Sequence, residues 1–207
     1  HHVGDLADAA TQADYRRALQ ELPAFLGFVP QRHACDRHPD YLSTALAHAQ
    51  AASGEAPAVE VGHHHAHLAA CLADNGRPLD ADPVLGVALD GLGYGEDGTL
   101  WGGEFGWVDY RRFERPGCFK PVALLGGEQA MREPWRNTYA HLMAGMGWPA
   151  FAMNYAGLEL HAFLAERPRA VLDAMLARGL NAPRASSCGR LFDAAAAAMG
   201  LCRERAA

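Results

Sequence analysis

An α/β fold with a mainly helical C-terminal half is what this 207-residue sequence predicts. Three observations predict it. Up to residue 76, short strand-like stretches alternate with amphipathic helical ones, the signature of a layered α/β unit. Between 82 and 110, two strand-like runs flank a glycine-rich stretch, as a β-hairpin requires. From 132 onward apolar residues recur at helical spacing almost to the end.

Taken in order, residues 8–28 carry Ala18, Leu19, Leu22, Phe25 and Leu26 on one helical face, with a perturbation expected at Pro23. "RHACD" reads as a short strand, and "PDYLSTALAHAQAA" as a helix opened by Pro39 and Asp40. Gly54 and Pro57 end it, "AVEV" is a second strand, and "HHHAHLAACLADNG" a helix stopped by Asn75 and Gly76. "DPVLGVALD" is a continuous apolar run, which predicts a buried strand. "GLGYGEDG" is then the turn, "TLWGGEFGWVDY" the returning strand and "CFKPVALL" one more. Helices follow in "REPWRNTYAHLMAGMG", "NYAGLELHAFLAE", "PRAVLDAMLARG" and "GRLFDAAAAAMGL". This divides the chain into an α/β part over 1–125 and a mainly helical part over 126–207.

Composition narrows the function class. The apolar fraction of 50%, charged fraction of 20% and net charge of −6 describe an ordinary globular protein. Its densest basic spots, "DYRRFER" and "CRERAA", interleave acids, which argues against nucleic acid as a partner. No apolar stretch is long enough for a membrane span and no signal peptide is seen. The 5 cysteines form no C-x-x-C pair and read as reduced thiols of a cytoplasmic protein. The chain starts without a methionine and reads as a piece of something longer.

The chemistry concentrates in two places. In "HHHAH", His63 and His67 are at i and i+4 of a helix, so two imidazoles on one face can chelate one metal ion. His64 and His67 form a second possible pair, and His65 points away. The glutamate of a zinc peptidase's H-E-x-x-H is absent, so nothing here serves as that enzyme's general base. Two histidines do not complete a site, and Asp90, at the end of the apolar strand, is the third ligand to look for. The alternative is a surface histidine run with no ligand. Asp90 opens "DGLGYGEDGTLWGGEF", whose Gly91, Gly93 and Gly95 let the backbone approach a ligand closely and adopt positive φ, so that successive N–H groups can form an anion-binding nest. The alternative there is a glycine hairpin kept for its turn. An acid at a strand end leading into a glycine hairpin is also the layout of actin-like ATPases. Arg132, Glu133 and Arg136, and Arg190 with Asp193 beside Cys188, fit either bidentate anion binding or ion pairs between helices.

Together "GDL", "CDRHPDYLST", "HHHAH", "DGLGYGEDGTLWGGEF", "REPWRN" and "NAPRASSCGRLFDA" resemble the hydrogenase maturation carbamoyltransferases, the HypF family, over essentially the whole chain. The resemblance implies part of a C-terminal actin-like (ASKHA, RNase H-like) domain. It implies an enzyme that uses carbamoyl phosphate and ATP to make carbamoyl adenylate. The carbamoyl group then passes to the C-terminal cysteine of a partner maturation protein, HypE, towards the cyanide ligands of the nickel–iron centre. On matching positions, His63, His67 and Asp90 are implied as metal ligands and catalytic groups, with zinc or iron as the metal and magnesium an accompanying possibility. Gly91, Gly93, Tyr94 and Gly95 are implied to face the nucleotide and carbamoyl group. Leu92 departs from the family phrase, which has threonine there. Glycine-rich phosphate segments and the YrdC-like module of the family have no counterpart in the chain. It is therefore expected to bind metal without catalysing the whole reaction. The rival readings are an O-carbamoyltransferase of a small metabolite and a non-catalytic metal-binding fragment.

Overall fold

Residue 4 and residues 6–204 are described by the computed structural model; Asp5 of the "GDL" phrase lies outside them. The chain forms two units, His1–Gly62 and His63–Ala207.

In the first unit, helix α1 (Ala9–Leu26) starts at Asp8, whose carboxylate accepts from Thr11 N at 2.8 Å, and ends at Gly27 with φ 60°. Pro23 does not interrupt it. Lying in the last turn, the proline deletes one donor while its own carbonyl still accepts from Phe28 N at 2.8 Å. Strands β1 (His33–Asp36) and β2 (Ala58–Val61) pair in parallel, with helix α2 (Leu42–Ala52) as the crossover. That helix opens at Leu42 and not at Pro39. Asp36 holds the approach, its carboxylate accepting from His38 N and its carbonyl from Thr44 Oγ1, both at 2.8 Å.

The second unit begins with α3 (His63–Asp74), then β3 (Val84–Tyr94), β4 (Leu100–Val108), β5 (Phe113–Cys118) and β6 (Val122–Ala123). The helices α4 (Gln129–Arg132), α5 (Trp135–Gly145), α6 (Gly147–Tyr155), α7 (Glu159–Ala165) and α8 (Arg169–Arg178) follow, then strand β7 (Arg184–Ala185) and helix α9 (Cys188–Ala198). The sheet runs β3-β4-β7-β6, and β5 also pairs with β4. Neither β5 nor β7 is apparent in the sequence. β5 reads "FERPGC", in which charges, proline and glycine dilute any strand signal, and β7 is too short for periodicity.

β3 departs from the expectation of a strand buried on both sides. Its burial alternates: Gly86 and Ala88 face inward, while Leu85, Val87 and Leu89 stay 60%, 47% and 58% exposed. Small inward residues let α3 settle on the sheet. A Cβ on Gly86 would come within 2.9 Å of both Leu68 and Val108, which with Ala88 form a small core. The larger core joins Val122 and Leu125 to Trp135, Tyr139, Phe151, Leu164 and Leu172. Position 125 therefore lies inside one core, with residues on either side of the expected 125/126 division packed together.

Leu125→Ala tests that shared core. With Leu125 fully buried, the truncation is expected to cost about 2–5 kcal/mol. Urea unfolding followed by the fluorescence of Trp101, Trp107, Trp135 and Trp148 should lose midpoint in one common transition. Separate transitions for sheet and helix tryptophans would contradict one cooperative unit.

Candidate metal centre

The centre is built by a register slip. β3 and β4 pair Leu89 with Gly103 and then Gly93 with Trp101, so Asp90, Gly91 and Leu92 stand opposite Gly102 alone. Such a bulge bends the strand and resets its alternation. Asp90 continues the inward row of Gly86 and Ala88, and Gly93 is buried as well. Both thus come under the first turn of α3.

There, Asp90 Oδ2 faces His63 Nε2 at 3.1 Å, His64 Nε2 at 3.7 Å and His67 Nε2 at 3.9 Å. His63 and His67, one helical turn apart, bring their Nε2 atoms within 3.2 Å. One ligand atom from each of His63, His67 and Asp90 fits within 4.8 Å of the others. Asp90 Oδ1 accepts from Gly91 N at 2.6 Å, which fixes the carboxylate plane. The hydrogen bond from His63 holds the Asp90 carboxyl at about 2, against the opposing effect of burial. Asp90 is therefore an anion at neutral pH. The remaining histidines divide. His65 donates from Nε2 to the Asp109 carbonyl at 2.8 Å, a tie between α3 and the end of β4. His64 is 1% exposed, and burial pushes its imidazole below the usual range, with His63 adding to the effect.

Two histidine nitrogens and a carboxylate oxygen suit zinc or iron(II), and their convergence leaves room for one ion between them. The donor set fits such a metal.

The glycines act differently from the expected nest. Gly91, Gly93 and Gly95 all avoid positive φ; Gly98, at φ 75°, makes the turn. A Cβ on Gly93 would stand 2.5 Å from His63 Cδ2 and 2.6 Å from His64 Cε1, and one on Gly95 would enter the Trp101 indole. These glycines make room for rings. Gly91 has open space over it.

A second layer locks the bulge in place. Glu104, with no exposed surface, accepts from Gly102 N at 2.9 Å and Gly103 N at 3.0 Å, and also from Ser186 Oγ and Arg115 Nε. Arg115 lies 4.0 Å over the Trp101 ring, and the His64 ring also neighbours it, with centroids 5.9 Å apart. Ser187 Oγ donates to the Gly91 carbonyl in the bulge and accepts from Arg190 N as the α9 cap. Gly189 packs on Gly91, where a Cβ would sit 2.9 Å from the Gly91 Cα. The phrases "DGLGYGEDGTLWGGEF" and "SSCGRLFDA" are thus one hydrogen-bonded unit. The arginines form local ion pairs three residues apart, Arg136 with Glu133 and Arg190 with Asp193 at 2.8 Å, and not the expected pairs between helices. Arg132 is exposed and stands outside those pairs. Sequence reasoning passed over Glu104 and Arg115, although an acid in an otherwise apolar strand facing an arginine on the next was a usable signal.

With this geometry established, two family models match. Residues 86–206 match the second subdomain of the carbamoyltransferase Kae1-like domain (HypF_C_2), and residues 1–74 the HypF Kae1-like domain. The chain belongs to the HypF carbamoyltransferase family. It is 43% identical over 210 residues to the carbamoyltransferase HypF of Rhodobacter capsulatus, covering 99% of this chain and 26% of that protein. It is 45% identical to carbamoyltransferase HypF2 of Cupriavidus necator, covering 96% of this chain and 23% of that one. The chain therefore spans about a quarter of these relatives' length. Among solved structures it resembles full-length HypF in a phosphate- and nucleotide-bound form, with TM-score 0.83 and 32% identity over 99% of this chain and 30% of that one. HypF of T. kodakarensis gives 0.77 and 27%, over 100% of this chain and 27% of that one. Among the described residues no helix is long and apolar enough to cross a membrane.

Glu104→Gln tests the lock beneath the site. Burial raises the Glu104 carboxyl, but the hydrogen bonds from Ser186, Gly102, Gly103 and Arg115 outweigh it and the net shift is downward from 4.5. A depressed carboxyl contributes stability that is present above the unfolded value and is lost as pH falls through the folded one. The variant should be less stable at pH 7 by about 3–5 kcal/mol. The gap to the parent should close as pH drops below about 4.5. A pH-independent gap in urea midpoints would contradict this role.

Proposed function

We propose that this chain is part of an ATP-dependent carbamoyltransferase of [NiFe]-hydrogenase maturation. Carbamoyl phosphate and ATP, through carbamoyl adenylate, supply the carbamoyl group. It ends on the C-terminal cysteine of a HypE-type partner, towards the cyanide ligands. The observation that carries this reading is the convergence of His63, His67 and Asp90 within 4.8 Å in a chain of the HypF family. The three-stranded antiparallel run β3–β4–β5, with its acid near the end of the first strand, supports an actin-like (ASKHA) core. The five free cysteines support a cytoplasmic setting.

In this reading His63 and His67 are neutral nitrogen ligands and Asp90 the anionic one, for zinc or iron(II), with magnesium accompanying ATP. A divalent ion so held supplies neutralisation of phosphate oxygens and polarisation of the carbamoyl carbonyl. The protein's own contribution is positioning. Gly91 N–H fixes one carboxylate oxygen of Asp90 and leaves the other to the ligand side. The stretch Gly91, Gly93, Tyr94 and Gly95 forms the wall facing nucleotide and carbamoyl group, with the open backbone of Gly91 as its contact point.

The test uses the full-length protein with its partner. Asp90→Asn and His63→Ala should each lower transfer, read by mass spectrometry as one carbamoyl group on the partner's C-terminal cysteine, by roughly 100-fold or more. Carbamoyl-phosphate-dependent ATP–pyrophosphate exchange should persist, because adenylate formation belongs to another module. Undiminished transfer in both variants would sink the assignment.

A further inference from the structure

We propose that His64 is a positioning residue, the hydrogen-bond donor that holds Asp90 in place once His63 and His67 are engaged by a metal. This rests on the metal-binding reading above. His64 is 1% exposed, yet among the described residues neither of its ring nitrogens has a hydrogen-bond partner. A buried imidazole with both nitrogens unsatisfied is uncommon, because each lost partner costs a desolvation penalty. Its ring is confined by Trp101 on one side and by the bare Gly93 on the other. Asp90 Oδ2 stands 3.7 Å from its Nε2.

The competition for that oxygen explains the spare donor. Among the imidazole nitrogens His63 Nε2 lies nearest that oxygen, at 3.1 Å. A histidine nitrogen that binds a metal does so through its lone pair and carries no proton. His63 and His67 therefore cannot donate to Asp90 when they act as ligands. His65 is committed to the Asp109 carbonyl. Of the four histidines, His64 alone then keeps an N–H for Asp90 Oδ2, while Gly91 N–H holds Oδ1. With both oxygens oriented, the carboxylate cannot rotate out of the ligand set. Partners of this kind are worth tenfold to a hundredfold in metal affinity.

The test is a cobalt(II) titration of the chain, read by its visible absorption, for the parent, His64→Phe and His64→Gln. The phenylalanine keeps the ring's bulk and removes the donor. The glutamine amide restores an N–H at a similar reach. His64→Phe should bind one cobalt at least about tenfold more weakly, and His64→Gln should recover to within about threefold of the parent. Circular dichroism and thermal midpoints check that all three fold. Equal affinity in parent and His64→Phe would overturn the proposal and leave the metal site standing. Equal weakening in both variants would overturn it too, reducing His64 to packing. No cobalt binding by the folded parent would instead overturn the metal reading on which it rests.

Discussion

The closeness of α3 to the bulged strand β3 is the constraint on which the site depends. Gly86, Ala88 and Gly93 present almost no side chain to the helix. Leu68 therefore reaches the sheet, and the rings of His63 and His64 occupy the space a Cβ would take. That proximity brings imidazole nitrogens to 3.1–3.9 Å from a carboxylate one strand away. Three imidazoles around one anion, two of them sharing a 3.2 Å contact, form an arrangement that water alone would not favour.

Holding this arrangement falls to groups that never touch it. Glu104 gathers two backbone N–H groups of β4, a serine before α9 and an arginine from β5 onto one buried carboxylate. Ser187 and Gly189 close on Gly91. The start of α9 is thereby bolted, through a bond spanning 96 positions of the chain, to the bulge that aims Asp90. A charged network of this kind is costly unless fully satisfied, and here each Glu104 oxygen has a partner.

Much of this was readable from the sequence. Helix α3 and its Asn75–Gly76 end follow from periodicity and capping, and the pairing of His63 with His67 follows from helical geometry. Asp90 was marked by an expected strand end, although the strand runs on to Tyr94 and Asp90 sits at its internal bulge. What escaped was long-range. The apolar run of β3 looked doubly buried, because periodicity does not register that every second residue is small enough to bury by default. The glycines looked like a phosphate nest because composition does not distinguish a glycine needed for φ from one needed for space. The strands β5 and β7 depend on partners far along the chain, and local propensity carries no trace of them.

The central claim is that absent side chains on β3 set the geometry of a metal clamp, and a pair of glycine variants tests it most directly. Zinc binding by isothermal titration should be weakened at least about tenfold in Gly93→Ala, whose methyl would strike His63 and His64. A methyl in Gly91→Ala, two residues earlier on the same bulge, meets nothing within 4 Å, and that variant should bind zinc as the parent does. Undiminished zinc binding by a folded Gly93→Ala variant would contradict the account.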